Sequence, residues 1–270
     1  MELSVNNLHF SYATSQRTVL DGVSFTASSG DLIALVGPNG VGKSTLFRCI
    51  LGFIKGYNGS IQIDGVETKS MTRKELARCV AYIPQSSSQV FDYSVIELVL
   101  MGMATRLGML QTPGKEEEAE ALDVLEQIGI GHLAYRGCGQ ISGGEYQLVL
   151  LARALVQQAK ILIMDEPTAN LDYGNQFRVM ERISGLTDRD FVVMTSAHDP
   201  NQVLLHATRA LVLEAGHISA DGTPREVLTD ETLSRLYGIN VHRKEVEDEG
   251  RKVLVCVPSR GGANVKANAQ

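Results

Sequence analysis

The sequence predicts an α/β fold with a mainly parallel sheet, an antiparallel β part on the N-terminal side and an inserted all-helical segment. Three short apolar runs carry the prediction of a parallel sheet, at residues 161–164, 191–194 and 210–213, with helical patterns between them. Continuous apolar strands of this kind are typical of parallel sheets that are covered on both faces.

The first third of the chain is predicted to be rich in strands. Leu3, Val5 and Leu8 alternate loosely with polar residues, and residues 18–26 read as strand on either side of an Asp21-Gly22 turn. Further strands are expected at 31–36, at 59–65 and at 79–83, the last ended by Pro84, with a helix at 72–78.

Helical periodicity replaces strand patterning between Ser94 and about Val156. Ser94 is a natural N-cap, and the acidic residues after Lys115 are typical of a helix start. A third helix is expected from Tyr146 to about Gln157. This helical segment interrupts the strand–helix alternation, which resumes at residue 160.

These patterns divide the chain into four parts. Residues 1–84 and 158–238 form the α/β core, which includes the antiparallel β part, and residues 85–157 form the helical subdomain. Residues 239–258 are predicted to form a C-terminal β extension of two strands that covers the sheet, and residues 259–270 a disordered tail.

Composition limits the partners and the compartment of the protein. The 270 residues hold 25 Lys and Arg against 31 Asp and Glu, a net charge of −6, which argues against nucleic acid as a partner. No apolar run approaches the ~20 residues that span a bilayer, and the N-terminus lacks the pattern of a signal peptide. We therefore expect a cytoplasmic protein, whose four scattered cysteines are reduced thiols without a metal role.

The segment Gly37–Thr45, GPNGVGKST, has the G-x-x-x-x-G-K-[ST] pattern between a predicted strand and a predicted helix. Such a loop curls its backbone N–H groups around phosphate, and the helix N-terminus adds partial positive charge. Lys43 would reach the β- and γ-phosphates, Ser44 would bind Mg²⁺ and Thr45 would contact the α-phosphate. The segment predicts binding of a nucleoside triphosphate by a P-loop NTPase core.

Two adjacent carboxylates follow the apolar strand at 161–164. Ligands gather at the C-terminal edge of a parallel sheet, so Asp165 is placed to hold Mg²⁺ and Glu166 to polarise the attacking water. Phosphoryl transfer needs both functions.

A second candidate anion site lies at residues 141–145, ISGGE. Ser142, Gly143 and Gly144 precede a helix and offer donors to a phosphate, although an ordinary N-capping serine would explain this segment on its own equally well.

Taken together, these motifs resemble those of the nucleotide-binding subunits of ABC transporters. Gly37–Thr45 is similar to the Walker A motif, 141–145 to the signature motif and 161–166 to Walker B. The remaining matches are Gln85 to the Q-loop, 170–172 to the D-loop, His198 to the switch histidine and Tyr12 to the adenine-stacking aromatic residue.

The resemblance implies a fold, a reaction and a set of roles. Two copies of the chain would enclose two ATP molecules head to tail. The resemblance places seven residues in the phosphate cradle: Gly37, Asn39, Gly40, Gly42, Lys43, Ser44 and Thr45. Ser142, Gly143, Gly144 and Asp172 would act across the interface on ATP held by the partner. Catalysis is assigned to Glu166, His198, Gln85 and Lys43, and Mg²⁺ binding to Ser44, Gln85 and Asp165.

The signature motif of this chain departs from the family consensus at two positions. Ile141 and Glu145 stand where the consensus has Leu and Gln, and the next residue, Tyr146, replaces a commonly basic one. Ser142, Gly143 and Gly144 are retained, so no implied catalytic group is lost.

The resemblance also implies membrane partners. Permease subunits would dock near Gln85–Gly102, with Phe91 and Tyr93 as exposed docking residues and Val95 packed inside the helical subdomain. The sequences at 91–102 and 197–202 resemble the importer branch for iron–siderophores, haem, cobalamin and molybdate. A metal-chelate importer subunit at the cytoplasmic face of the membrane, served indirectly by a substrate-binding protein, is therefore expected. An importer for another metal or oxyanion, such as zinc or molybdate, and an exporter subunit remain open alternatives.

Overall fold

Three sheets and nine α-helices make up the described part of the chain. The computed structural model describes residues 1–13, 17–85, 93–107, 111–248 and 250–259. The strands are β1 (Glu2–Ser11), β2 (Thr18–Ser28), β3 (Leu32–Val36), β4 (Asn58–Ile63), β5 (Val66–Glu67), β6 (Val80–Ile83), β7 (Ile161–Met164), β8 (Val192–Ala197), β9 (Arg209–Glu214), β10 (His217–Gly222), β11 (Val241–Asp248) and β12 (Arg251–Pro258). The helices are α1 (Lys43–Ile50), α2 (Arg73–Cys79), α3 (Val95–Leu100), α4 (Lys115–Gln127), α5 (Gly143–Leu155), α6 (Tyr173–Ser184), α7 (Pro200–His206), α8 (Pro224–Val227) and α9 (Asp230–Tyr237).

The central sheet has six strands in the order β10-β9-β3-β8-β7-β6. Its neighbours run parallel except for the β9–β10 pair, as the apolar runs predicted. In β7, Leu162 and Met164 pack with the helical segment, whereas Ile161 and Ile163 pack against the antiparallel sheet side. Because alternate side chains of a strand point to opposite faces, both faces of this sheet are covered.

A four-stranded antiparallel sheet, β2-β1-β4-β5, packs over α1 and the central sheet. The predicted Asp21-Gly22 turn is wrong, because β2 continues through these residues as one strand. Gly22 instead has φ of 70°, and the register against β1 shifts between the Leu8–Val23 and Phe10–Leu20 pairs. A left-handed residue inside a paired strand is typical of a β-bulge, which is why this glycine imitates a turn in the sequence.

Helices α3, α4 and α5 pack together between residues 95 and 155 and share one apolar cluster with the central sheet. Ser94 caps α3 as predicted, and its side chain accepts a hydrogen bond from the backbone of Glu97. Helix α5 begins at Gly143 and ends at Leu155, so the predicted start at Tyr146 and end near Gln157 are wrong. Glycine disfavours a helix interior, but the Ser142 cap offsets this cost in the first turn.

The strands β11 and β12 form the antiparallel hairpin that the sequence predicted around residues 248–250. Its main contacts are β12 with α7 and β11 with α9. The hairpin therefore lies on helices, and the expectation that it covers the sheet directly is wrong. Val241 and Cys256 complete an apolar cluster with Val203 and Leu233. The predicted disordered tail lies outside the described residues, apart from Ser259.

Within the described ranges, no helix combines the length and the apolar character needed to cross a membrane.

Candidate functional site

The loop between β3 and α1 lies at the C-terminal edge of the central sheet. Gly37 is buried here, and a Cβ atom on it would lie 2.3 Å from the backbone oxygen of Leu213, so only glycine fits. Asn39, Gly40 and Ser44 are exposed, whereas Thr45 is buried. The sequence therefore fixes a loop that presents its tip and one hydroxyl to solvent.

Lys43 is buried in this loop with 6% of its surface exposed. Its Nζ donates to the backbone oxygen of Gly37 at 2.7 Å and to that of Pro38 at 3.1 Å. Burial lowers the pKa of Lys43, and the nearby carboxylates of Glu166 and Asp165 oppose that shift. The ammonium group thus lies between the loop and the two acids that end β7.

Asp165 and Glu166 leave β7 in different directions. Asp165 is 5% exposed, and its Oδ1 accepts a hydrogen bond from Ser196 Oγ at 2.6 Å. Glu166 has φ of 50°, a conformation that is uncommon outside glycine and clusters at functional sites. Its backbone N–H donates to the same Ser196 oxygen at 2.8 Å, so one hydroxyl fixes both residues.

The Glu166 carboxylate is held from two sides. Gln85 Nε2 donates to Oε2, and His198 Nε2 contacts Oε1. Gln85 follows β6 and His198 follows β8, the two strands that flank β7. The structure therefore brings together Lys43, Gln85, Asp165, Glu166 and His198, which were separate in the sequence, into the cluster that we call the acid cluster.

Tyr12 lies at the end of the antiparallel sheet beside the same loop. Its hydroxyl and Thr45 Oγ1 are 3.2 Å apart, and its ring meets Phe10 edge-on with centroids 4.8 Å apart. The ring is 36% exposed, so it borders the loop and also faces solvent.

The residues Ser142, Gly143, Gly144 and Asp172 gather at a second place, which we call the signature cluster. Ser142 caps α5 in a capping box with Glu145: Ser142 N and Oγ each donate to Glu145 Oε2 at 2.7 Å. These hydrogen bonds lower the pKa of Glu145, so its carboxylate is charged at neutral pH. Ser142 therefore has the ordinary N-capping role that the sequence analysis kept as an alternative.

Asp172 caps α6 and accepts hydrogen bonds from the backbone N–H and the side-chain amide of Asn175 at 2.9 and 2.8 Å. A Cβ atom on Gly144 would lie 2.5 Å from the Cγ atom of Asn175, so the starts of α5 and α6 touch at this glycine. Among the described residues, no hydrogen bond joins the signature cluster to the Gly37–Thr45 loop.

The sequence analysis missed three groups around these clusters. Ser196 was hidden in an apolar strand, although the register that pairs Met164 with Thr195 places it opposite Asp165. Asn175 follows the D-loop match by three residues, a spacing that signals a cap. Tyr237 donates from its hydroxyl to the backbone oxygen of His198 at 2.8 Å, and no local pattern indicates this contact.

A chain of side-chain hydrogen bonds also escaped the sequence analysis. Thr168 Oγ1 donates to Gln202 Oε1, Gln202 Nε2 to Gln176 Oε1, and Gln176 Nε2 to the backbone oxygen of Leu171, at 3.1, 2.8 and 3.0 Å. It joins the segment after Glu166 to α7 and to the backbone next to Asp172.

A phosphate-binding loop at the edge of a parallel sheet, with an acidic pair at the same edge on β7, one strand beyond the neighbour of β3, defines a P-loop NTPase. Comparison with known proteins specifies the family. The ABC transporter family model matches residues 20–169, and the chain belongs to that family. The protein is the ATP-binding subunit of an ABC transporter and an ATPase. Members of this family dimerise and work with membrane permease subunits.

Curated relatives match the chain over most of its length. It is 39% identical over 237 residues to an uncharacterised ABC transporter ATP-binding protein of Haemophilus influenzae, covering 88% of this chain and 89% of the relative. It is 36% identical over 239 residues to a probable iron chelatin transport ATP-binding protein of Helicobacter pylori, covering 88% and 93%. A hemin import ATP-binding protein of Rhizobium leguminosarum is 34% identical over 250 residues, covering 90% and 93%.

Solved structures agree in fold. A chain of an ABC transporter of the metal-chelate type, in an inward-facing conformation, superposes with a TM-score of 0.85 at 31% identity, covering 95% of this chain and 97% of that one. An ATP-binding cassette in its ADP conformation gives a TM-score of 0.79 at 27% identity, covering 88% and 98%. The predicted P-loop fold and the resemblance to ABC ATPases are confirmed.

Proposed function

We propose that the chain hydrolyses ATP in a head-to-tail pair with a second copy and thereby drives uptake of a metal chelate through permease subunits. The observation that carries this proposal is the separation of the two clusters. The acid cluster lies beside the Gly37–Thr45 loop, whereas Ser142, Gly144 and Asp172 lie at the starts of α5 and α6. A second copy supplies the donors that one chain does not bring to its own loop.

In this proposal Glu166 accepts the proton of the attacking water while Lys43 stabilises charge on the γ-phosphate. The direct contacts of Gln85 and His198 with the Glu166 carboxylate support a shared role in orienting that group and the water. Lys43 is well placed because its buried ammonium already lies near both acids and can exchange backbone oxygens for phosphate oxygens.

Magnesium fits the oxygen donors at this edge of the sheet. Ser44 offers an exposed hydroxyl. Ser196 donates to Asp165 Oδ1, and no side chain in the described part of the chain donates to Oδ2. Gln85 donates through Nε2, which leaves its amide oxygen as a further donor to the metal. Mg²⁺ prefers one or two such ligands together with phosphates and water. When bound, it would neutralise charge on the transferring phosphoryl group.

Tyr12 is proposed to stack on adenine, supported by its exposed ring next to Thr45. Asp172 is proposed to act across the interface. This role is supported by its hydrogen bond with Asn175, since Asn175 lies against Gly144 of the signature cluster. Glu145 keeps Ser142 in the capping box, so binding of a partner's phosphate would exchange one of its hydrogen bonds.

Permease docking is proposed on the surface around α3. Tyr93 and Met101 are 37% and 43% exposed and border an open cavity of about 570 Å³, whereas Val95 is fully buried, as expected. Phe91, the other predicted docking residue, lies outside the described residues. An exposed apolar surface of this kind is typical of a protein–protein contact. It would hold the protein at the cytoplasmic face of the membrane.

The cargo is proposed from the relatives. The iron chelatin and hemin proteins support a metal chelate, and a substrate-binding protein would deliver it to the permease. The molybdate import relative in Haemophilus influenzae, 32% identical over 246 residues, makes an oxyanion the second candidate. An exporter chain that matches at 25% identity keeps the exporter subunit as an alternative.

Reconstitution tests the proposal. The chain and its permease are placed in liposomes with a loaded binding protein, and ATP-dependent uptake of ⁵⁵Fe-chelate, hemin and molybdate is compared. We expect uptake of a chelate and stimulated ATPase activity. Uptake of molybdate alone would show that the cargo is an oxyanion and not a metal chelate. ATPase activity that the permease does not change would refute the transport role.

A further inference from the structure

The C-terminal part of the chain, which consists of α9 and the β11–β12 hairpin, holds the short link that carries His198. This link consists of His198 and Asp199, between the end of β8 at Ala197 and the start of α7 at Pro200. Tyr237 is the last residue of α9, and its hydroxyl donates to the His198 backbone oxygen at 2.8 Å. A residue 39 positions away therefore fixes the carbonyl in the middle of the link.

The direction of this hydrogen bond is unambiguous. A carbonyl oxygen only accepts, so the phenol must stay protonated to hold it. Burial raises the pKa of Tyr237 to about 12, and the hydroxyl remains a donor throughout the neutral range. Ring packing alone would not need the hydroxyl group, which allows the two roles to be separated.

The same link is also connected to the β11–β12 hairpin. The backbone N–H of Cys256 in β12 donates to Asn201 Oδ1 at 2.7 Å, and Asn201 lies in the first turn of α7. Asn201 N in turn donates to Asp199 Oδ1 at 2.9 Å, which is the cap of that helix. The hairpin is therefore connected to the link by two consecutive hydrogen bonds.

The imidazole of His198 contacts Glu166 Oε1. One residue thus has its backbone held by the C-terminal part and its ring held at the acid cluster. A change in the backbone position of His198 moves its ring relative to Glu166, since the side chain has only two rotatable bonds.

We propose that Tyr237 is a positioning residue for ATP hydrolysis, which holds the His198 backbone so that the imidazole meets Glu166, with Asn201 as the connection to the hairpin. This inference rests on the proposed function, because it requires that His198 takes part in hydrolysis. It gives α9, and through Asn201 the β11–β12 hairpin, a definite effect on turnover.

The test is a double-mutant cycle measured by steady-state ATPase kinetics. Tyr237→Phe removes only the hydroxyl, and we expect kcat to fall roughly 3- to 10-fold with KM for ATP unchanged, as loss of one positioning hydrogen bond implies. His198→Ala should lower kcat further. Adding Tyr237→Phe to His198→Ala should then change nothing, because the group that Tyr237 positions is gone. Tyr135→Phe is the matched control, since Tyr135 is 71% exposed and its hydroxyl donates to Glu118 in the helical segment.

The outcomes separate the two proposals. Wild-type kcat in Tyr237→Phe, or an equal further loss of kcat in the His198→Ala background, would overturn the positioning role. A His198→Ala enzyme with full activity would instead refute the catalytic role of His198 within the proposed function, and the positioning role with it.

The connection to the hairpin is tested at Asn201. Asn201→Ala removes the acceptor of the Cys256 N–H, and kcat should fall about 2- to 5-fold. Asn201→Asp keeps an oxygen acceptor at the same place and should retain activity. Equal kcat values in the two variants would remove Asn201 from the proposal.

Discussion

Ser196 Oγ donates to Asp165 Oδ1 at 2.6 Å and accepts from the backbone N–H of Glu166 at 2.8 Å. One buried hydroxyl at the end of β8 therefore sets the positions of the two acids that end β7. Asp165 is itself buried, so the contact satisfies a carboxylate that would otherwise be costly to desolvate.

We expect Ser196→Ala to lower the free energy of unfolding by about 1–3 kcal/mol, because it leaves a buried acceptor and a buried donor without their partner. Urea unfolding of the purified variant measures this loss. Ser219→Ala is the control. Ser219 is exposed, and water can replace its hydroxyl as the partner of Glu214 and Val212, so stability should change by less than about 0.5 kcal/mol. Equal stability of the two variants would mean that the hydroxyl is replaceable by water.

Glu166→Gln should retain ATP binding and lose hydrolysis by about 100-fold or more, since the amide cannot accept the proton of water. ATP should then hold the variant as a dimer, measured by size-exclusion chromatography with and without ATP. Glu226→Gln, in the capping box of α8, is the control and should stay at the wild-type rate. Turnover near wild type in Glu166→Gln would exclude Glu166 as the base.

Lys43→Ala should weaken ATP binding on the order of 10- to 100-fold, as expected for loss of a charged donor to phosphate. Binding of a fluorescent ATP analogue measures the change. Lys55→Ala, outside the Gly37–Thr45 loop, serves as the control and should bind normally. Normal affinity in Lys43→Ala would contradict the phosphate cradle.

Replacing Tyr93 and Met101 by Ala should abolish stimulation of the ATPase by the permease and leave basal hydrolysis intact. Both side chains are exposed at the cavity next to α3, away from the acid cluster. Permease-stimulated ATPase and cargo uptake in liposomes measure the effect, with Tyr135→Ala as an exposed aromatic control. If the permease still stimulated the ATPase of the double variant fully, the permease would have to dock on another surface.

Acid should weaken the fold partly through its capping boxes. Hydrogen bonds from the capping Thr or Ser lower the pKa of Glu75, Glu97 and Glu226 below the ordinary value of 4.5. A carboxyl whose pKa is lowered in the folded state stabilises the protein above its unfolded pKa, and this contribution disappears as pH falls through the folded value. Replacing all three by Gln should therefore flatten the decline of unfolding free energy as the pH falls from about 5 through the lowered pKa values of these carboxyls, measured by urea unfolding. Parallel curves for wild type and variant would contradict this.

Local sequence patterns predicted much of the secondary structure of this protein. The continuous burial of Ile161–Met164, the loop at Gly37–Thr45 and the cap at Ser94 all follow from short-range sequence, because strand, loop and cap signals are encoded within a few residues. The same patterns misplaced the start of α5 and turned the bulge at Gly22 into a turn, since a glycine signals a positive φ without saying what surrounds it.

The sequence by itself determined that the chain binds a nucleoside triphosphate and which acids follow which strand. Only the tertiary structure decided which side chains meet: Ser196 reaches Asp165 through the register of β7 and β8, and Tyr237 reaches His198 across 39 residues. Such contacts depend on strand order and helix packing, which bring together groups that no local period relates. For the same reason, the separation of the acid cluster from the signature cluster, on which the proposed pairing with a second copy rests, became visible only in the folded chain.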